Sequence, residues 1–231
     1  LSPRSASTAG APPRAAKAGD ETTRQRVLRS AVRLFAERGF HGTGIRDLAA
    51  AAELTTSTLY HYMTNKDDLL VEIMLGTITP LRDAANAIRA DVADPAAALC
   101  AIVEHHVWAH ASDRLATLVT DTELRALADE RLRLVLAVRD EYEALWRAAV
   151  SDGAHAGIFT APHPNLSTRA LLQMATGVSH WFSPGGQMRL PELCRTYADN
   201  ALALLRAEGK DGRPIRRDQL SVPASNHYLA R

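Results

Sequence analysis

The 231 residues are 46% hydrophobic and 23% charged, the balance of an ordinary globular protein, and a formal net charge of +1 is not by itself a nucleic-acid signal. Only 5% are aromatic, and Ala and Leu dominate without alternating Val/Thr-rich runs, so an all-α fold is expected rather than a sheet. No apolar run reaches membrane-spanning length and the first residues lack the apolar core of a signal peptide, which points to a cytoplasmic protein with no membrane partner.

Residues 1–20 are rich in Ala, Pro and Ser and carry Arg4, Arg14 and Lys17. They cannot bury enough apolar area to fold, and two readings stay open for them: a solvated tail, or a basic arm reaching into a minor groove. The first helix is expected over 21–38, where Val27, Ala31, Leu34 and Phe35 recur at i, i+4, i+7 and i+8; Gly39 stops it and Phe40 folds back as a plug. Thr43 is placed to cap a second helix, whose buried face is Ile45, Leu48, Ala49 and Ala52. Leu54 points inward from the following turn and Thr55 caps a third helix. Asn65 and Asp68 resemble a capping box for a fourth, which starts near Lys66 and carries Leu69, Leu70, Ile73, Met74 and Ile78.

A kink or break is expected at Pro80. Beyond it, helices are expected over 95–111, opened by Pro95; over 113–126; over 129–151, ended by Asp152-Gly153; over 167–182, capped by Ser167; and over 191–207, ended before Gly209. The polar, Pro-containing stretch after 209 reads as a loosely attached tail. The expected layout is therefore an arm over 1–20, a three-helix head over 21–66, a larger helical ligand-binding and dimerisation bundle over 67–208, and a tail over 209–231. Cys100 and Cys194 both fall in apolar helical patterns and are expected as buried, reduced thiols.

The stretch from Thr43 to Met63 carries the most chemistry. Its second helix buries Leu59 and leaves hydroxyls, aromatic tips and a histidine free, as suits a helix laid into the DNA major groove, with Lys66 just beyond to take a phosphate. Residues 21–66 hold seven Lys/Arg against four Asp/Glu, a mild excess that favours shaped contacts over a broad electrostatic field. The segment resembles the N-terminal helix-turn-helix of the TetR family of transcriptional regulators, whose Leu-Tyr-His-Tyr stands here as Leu59-Tyr60-His61-Tyr62. The resemblance implies that Thr43, Lys66, Tyr60 and His61 hold backbone phosphates, that Thr55, Thr56 and Ser57 touch bases, and that Tyr62 is part buried and part phosphate-facing. Arg46 is counted with this DNA-facing set. Glu53, Thr56 and Met63 depart from the family's common Gly, Lys and Phe. Glu53 stands where the turn favours a residue tolerant of positive φ, and Thr56 lacks the long basic side chain that would reach a phosphate or guanine.

In the body, Leu99, Val103, His106, Val107 and His110 form one stripe, so the two histidines are expected on a semi-polar pocket. Their i, i+4 spacing also fits a metal pair, but no Cys or carboxylate completes a set, so no metal or cofactor is expected. Tyr142, Trp146, Met174 and His180 have core or interface spacing, and Arg125 and Arg139 read either as surface charges or as a pocket mouth for an anion. Trp181-Phe182-Ser183-Pro184-Gly185-Gly186 resembles the Trp-Tyr/Phe-x-Pro-x-Gly segment of TetR members that sense acyl-CoA thioesters. Together these resemblances imply a repressor that binds a palindromic double-stranded operator, dimerises through the last two helices and is released by a small molecule. That inducer is read as an acyl-CoA thioester, its acyl part among Val103, His106, His110, Trp146, Met174 and Trp181 and its phosphates near Arg189. An uncharged hydrophobic compound is the alternative inducer. An enzyme is disfavoured, because there is no Gly-rich phosphate loop, nucleophile elbow or paired-carboxylate motif. A ligand-free architectural protein would not need so large a body.

Overall fold

A computed structural model describes residues 22–225 and 227; the expected N-terminal arm lies outside the described residues. The head is α1 (Thr23–Arg38), α2 (Ile45–Ala51) and α3 (Thr56–Leu59), followed by α4 (Lys66–Asp91). The body continues with α5 (Pro95–Ser112), α6 (Arg114–Thr122) and its 3-10 extension Glu123–Ala126, α7 (Asp129–His155), α8 (Pro164–Thr176), α9 (Val178–Trp181) and α10 (Leu190–Leu204). Among the described residues there is no strand, only an isolated bridge between Glu208 and Pro214, and no helix long and apolar enough to cross a membrane.

Local chemistry sets the ends. Thr22 caps α1 in a reciprocal box with Gln25, Asn65 accepts from the Asp68 amide to cap α4, and Asp94 accepts from the Ala97 amide ahead of Pro95. Each such cap is worth about 1 kcal/mol. Gly39 ends α1 at φ 73°, a conformation an L side chain strains to adopt.

The head packs Val27, Ala31, Leu34 and Phe35 of α1 against Leu48, Ala49, Leu59 and the first turns of α4, with Phe40 edge-on to Phe35 at 5.4 Å between ring centroids. That core also takes in Val119 from α6, Leu127 just after the 3-10 turn, and Val135 from the second turn of α7. A head ending at residue 66 therefore cuts through a shared core, since Leu69, Leu70, Ile73 and Met74 belong to it. The body has its own core, in which α5 is the central helix: α10 lies along one side of it and α4 and α7 along others.

Four expectations are corrected. Pro80 neither breaks nor ends α4, which runs on to Asp91. The carbonyl that proline leaves without a donor belongs to Gly76, and both residues are on the solvent face, where water can serve it. The long helix α7 does not stop before Asp152 but includes Gly153, whose missing side chain admits Phe159: a Cβ there would lie 2.1 Å from that ring. The helix expected over 167–182 starts at Pro164 and divides at Gly177 into α8 and α9. The stretch after 209, expected to be loose, packs onto the body. Ile215, Leu220 and Val222 join the core, the Arg217 guanidinium pairs with the buried Glu104 carboxylate, and His105 Nδ1 donates to the Ser225 carbonyl at 2.8 Å. The two thiols are free and buried, and desolvation pushes Cys194 up to about 12.

Candidate DNA-binding head and ligand cavity

The turn between α2 and α3 is closed by backbone bonds from Glu53 N–H to Ala50 O and Leu54 N–H to Ala49 O, and it holds Glu53 at φ 58°. The last carbonyls of α2 are taken by α1: Arg26 Nε donates to Ala52 O and Ser30 Oγ to Ala51 O. The helix α3 is a single turn, pinned by Leu59, and continues as bonded turns through Tyr62. Arg24 clamps its far end, donating Nη1 to the Tyr62 carbonyl at 3.0 Å while Nε and Nη2 grip Glu72 at 3.1 and 2.6 Å. The sequence reading missed that clamp, because its partners are 38 and 48 residues away.

The surface this produces is polar. Thr56, Ser57, Tyr60, His61 and Arg46 are exposed, Tyr60 by 52%, and Tyr62 is half-buried. Thr55 is exposed, but its hydroxyl accepts from the Thr58 amide and bonds both the Ser57 and Thr58 hydroxyls, so it shapes the helix start. Thr56 replaces the family's long basic residue, and its hydroxyl has no hydrogen-bonded partner among the described residues.

Two residues expected on phosphates are turned inward. Thr43 is 1% exposed and its hydroxyl donates to the Gly39 carbonyl at 2.9 Å and the Leu34 carbonyl at 3.3 Å; the cap of α2 is Gly44, whose amide donates to Asp47. Lys66 donates Nζ to the Phe40 and Thr43 carbonyls at 2.8 and 2.9 Å and sits 4.2 Å over the Phe40 ring. It staples the loop before α2 to the start of α4 through charge-assisted bonds and a cation–π contact.

In the body, α4, α5, α6, α7 and α8 enclose a cavity of about 440 Å³. Ile78, Leu81, Leu136 and Leu172 give it an apolar surface, and His106, His110, Thr117, Thr120, Tyr142 and Thr176 a polar one. At its rim stand Arg139 and Arg169 together with Asp121, Asp140 and Glu143, so the mouth is mixed in charge, not basic as expected. Inside, His106 is bonded through Nδ1 to the Tyr142 hydroxyl at 2.9 Å and through Nε2 to Thr176 at 3.2 Å. His110 stacks on it at 3.7 Å. Burial, reinforced by the neighbouring histidines, holds His106 well below the usual imidazole range, and burial lowers His110 to about 4. No cluster of His, Cys, Asp and Glu that could hold a metal occurs among the described residues.

Of the seven residues expected on the ligand, only His106 and His110 line this cavity. Val103 and Trp146 are fully buried behind it, Trp146 edge-on to His106 at 5.3 Å, and Met174 packs half-buried against the core. Trp181 is 56% exposed on the outside and Arg189 is exposed at the start of α10. The missed residues on α4, α6 and α8 had no pattern of their own in the sequence, because each contributes only one edge of the wall.

A helix-turn-helix joined through a shared core to a helical body is the architecture of a transcriptional regulator. Residues 27–73 match the family described as "Bacterial regulatory proteins, tetR family", and residues 92–205 match "Tetracyclin repressor-like, C-terminal domain". The chain belongs to the TetR family, as its helix-turn-helix implied. It is 29% identical over 188 residues to the HTH-type transcriptional repressor KstR2 of Rhodococcus jostii (strain RHA1), covering 80% of this chain and 92% of that protein. The solved TetR-family regulator PfmR from Thermus thermophilus is 32% identical with a TM-score of 0.71, covering 80% of this chain and all of that one. AibR, solved in complex with isovaleryl coenzyme A and operator DNA, shares the fold at a TM-score of 0.70 and 24% identity over 80% of this chain and 100% of that chain.

Proposed function

We propose that this protein is a repressor that grips a palindromic operator as a homodimer and releases it when a small molecule enters the body cavity. One observation carries the reading: the two helices that wall the cavity on the head side also hold the head. Helix α4 contributes Thr77, Ile78 and Leu81 to the wall, Leu69 and Leu70 to the head core, and Lys66 to the staple. Helix α6 contributes Thr117, Thr120 and Asp121 to the wall and Val119 to the head core, and Glu123 just after it accepts the Phe40 amide at 3.1 Å. A ligand that favours a wider wall therefore favours a different head position, which is the differential affinity a switch requires. The volume suits a small organic ligand. Exposed Leu166 on α8, Trp181 on α9 and Leu204 on α10 support self-association through that end of the body.

For the inducer we propose an acyl-CoA thioester whose acyl part fills the cavity while Arg139 and Arg169 meet phosphates at the rim. The AibR complex supports this chemistry in a protein of the same fold. The three rim carboxylates support a second reading, an uncharged amphipathic compound. Release of a library-selected operator is the test, with acyl-CoA thioesters, their free acids and neutral amphiphiles titrated in parallel. Release by thioesters supports the first reading, and release by neutral compounds alone overturns it in favour of the second. Sedimentation of the protein–DNA complex as a monomer would remove the dimeric part.

A further inference from the structure

His110 is a buried imidazole in the cavity wall that is bonded through one ring nitrogen only. Its Nδ1 lies 2.9 Å from the His106 carbonyl oxygen, which can only accept, so Nδ1 carries a proton. The ring is 5% exposed and stacks on His106 at an interplanar angle of 20°, an arrangement hostile to charge on either ring. Burial holds it neutral at physiological pH, outweighing the favourable bond to His106 and the Asp121 carboxylate. A neutral imidazole has one N–H, so Nε2 is a bare lone pair. With Nδ1 tied back to its own helix, Nε2 has no hydrogen-bonding partner among the described residues.

The wall's other imidazole, its Thr120 hydroxyl and its Asp121 carboxylate are engaged. Both His106 nitrogens have hydroxyl partners, the Thr120 hydroxyl donates to the Ala116 carbonyl at 2.8 Å, and Asp121 faces His180 Nε2 at 3.3 Å. The wall thus offers an acceptor with nothing to accept from, beside the apolar surface of Leu81 and Leu172.

We propose that the inducer carries a hydroxyl or N–H group on the portion that enters the cavity and donates it to His110 Nε2. The inference rests on the cavity being the inducer site. A ligand carbonyl or ether oxygen at that point sets lone pair against lone pair, and a methyl group leaves a buried acceptor dry, so the site discriminates by what it would leave unpaired. The class of inducer is a hydroxylated or amidated aliphatic compound rather than a saturated or keto one.

The test uses two matched sets, read by intrinsic tryptophan fluorescence and operator release. The first is octanoyl-CoA, hydroxyoctanoyl-CoA with the hydroxyl moved along the chain, and oxooctanoyl-CoA. The second is octanol, octanone and octane. The expected result is that a hydroxyl-bearing member binds about tenfold tighter than both its saturated and its oxo counterparts, and that His110→Phe removes the difference. If octanoyl-CoA binds and releases the operator with no hydroxyl preference anywhere in its series, this inference falls and the inducer-site reading stands. If thioesters fail but octanol beats octanone in a His110-dependent way, the thioester reading falls and this one stands. Absence of any preference in both sets, failure to bind included, overturns the inference. Nitrogen-15 NMR of the full-length protein gives a ligand-free check: a neutral ring protonated on Nδ1 is expected at pH 7, and a proton on Nε2 overturns the proposal.

Discussion

In the head, the hydroxyls of the recognition segment are bonded close to home: Thr55 to Ser57 and Thr58, and Thr43 to carbonyls four and nine residues back. In the body, His106 of the cavity wall finds partners far along the chain, Tyr142 and Thr176 at separations of 36 and 70 residues, and outside the cavity Glu104 pairs with Arg217 at 113. The recognition segment presents a surface shaped by bonds within a few residues and braced by Arg24, whereas the body is an assembly whose interior exists only once five helices meet. That difference assigns their functions. An exposed polar surface braced from behind suits a partner such as DNA, and a wall held in part by long-range contacts suits a site whose occupancy shifts the assembly.

The contrast is broken most severely at the C-terminal strap. Arg217→Ala leaves the buried Glu104 carboxylate without its cation, and such a loss costs about 3 kcal/mol or more. Urea denaturation should show it as a lower midpoint, and an unchanged midpoint would mean that the strap contributes nothing to the body. Next comes Lys66→Ala. Loss of two charge-assisted bonds inside the head should cost about 2 kcal/mol, with operator binding lost through instability. A variant of unchanged stability whose salt dependence merely flattens, by about 0.9 for a lost phosphate contact, would return Lys66 to the DNA backbone.

The acid response probes the body alone. The unfolded chain binds protons on His110 below the ordinary imidazole value of 6.5, while the folded ring resists them down to about 4. The stability of the neutral ring is present in full above 6.5 and is lost as pH falls through that window, roughly 2 kcal/mol by pH 5. His105 and His106 are lowered in the same direction by burial and add to it. Denaturation midpoints at pH 7 and 5 check the sign, and His110→Phe should flatten the trend. Smallest is Glu53→Gly, which relieves the positive φ of the head's turn and should stabilise by about 0.5–1 kcal/mol at most.

The same local-versus-distant contrast decides how much was legible in the sequence. Helix starts at Asn65 and Pro95, the plug at Phe40, the buried Leu59 and the positive φ at Glu53 were readable, because each depends on residues within a turn or two. The inward bonds of Thr43 and Lys66 were not readable, since nothing in a linear string shows that a hydroxyl or an ammonium group will find carbonyls inside the fold. His106 and His110 were legible because both stand on one helix face. Arg169 and Thr176 come from a different helix and were not, and Trp181, an aromatic beside a helix-ending proline, looked like a pocket wall but faces outward. The strap was missed because its few apolar residues, Ile215, Leu220 and Val222, carry no periodicity.

The central claim is that the state of the cavity sets the position of the head, and it can be tested without knowing the inducer. Thr117→Trp fills the cavity from α6, the helix that meets both the cavity and the head. The decisive measurement is the affinity of this variant for a library-selected operator, with circular dichroism confirming that it remains folded. The account predicts affinity lowered by at least about tenfold, the shift expected of a modest coupling energy of roughly 1–3 kcal/mol. A folded variant with a filled cavity and undiminished operator affinity would contradict it.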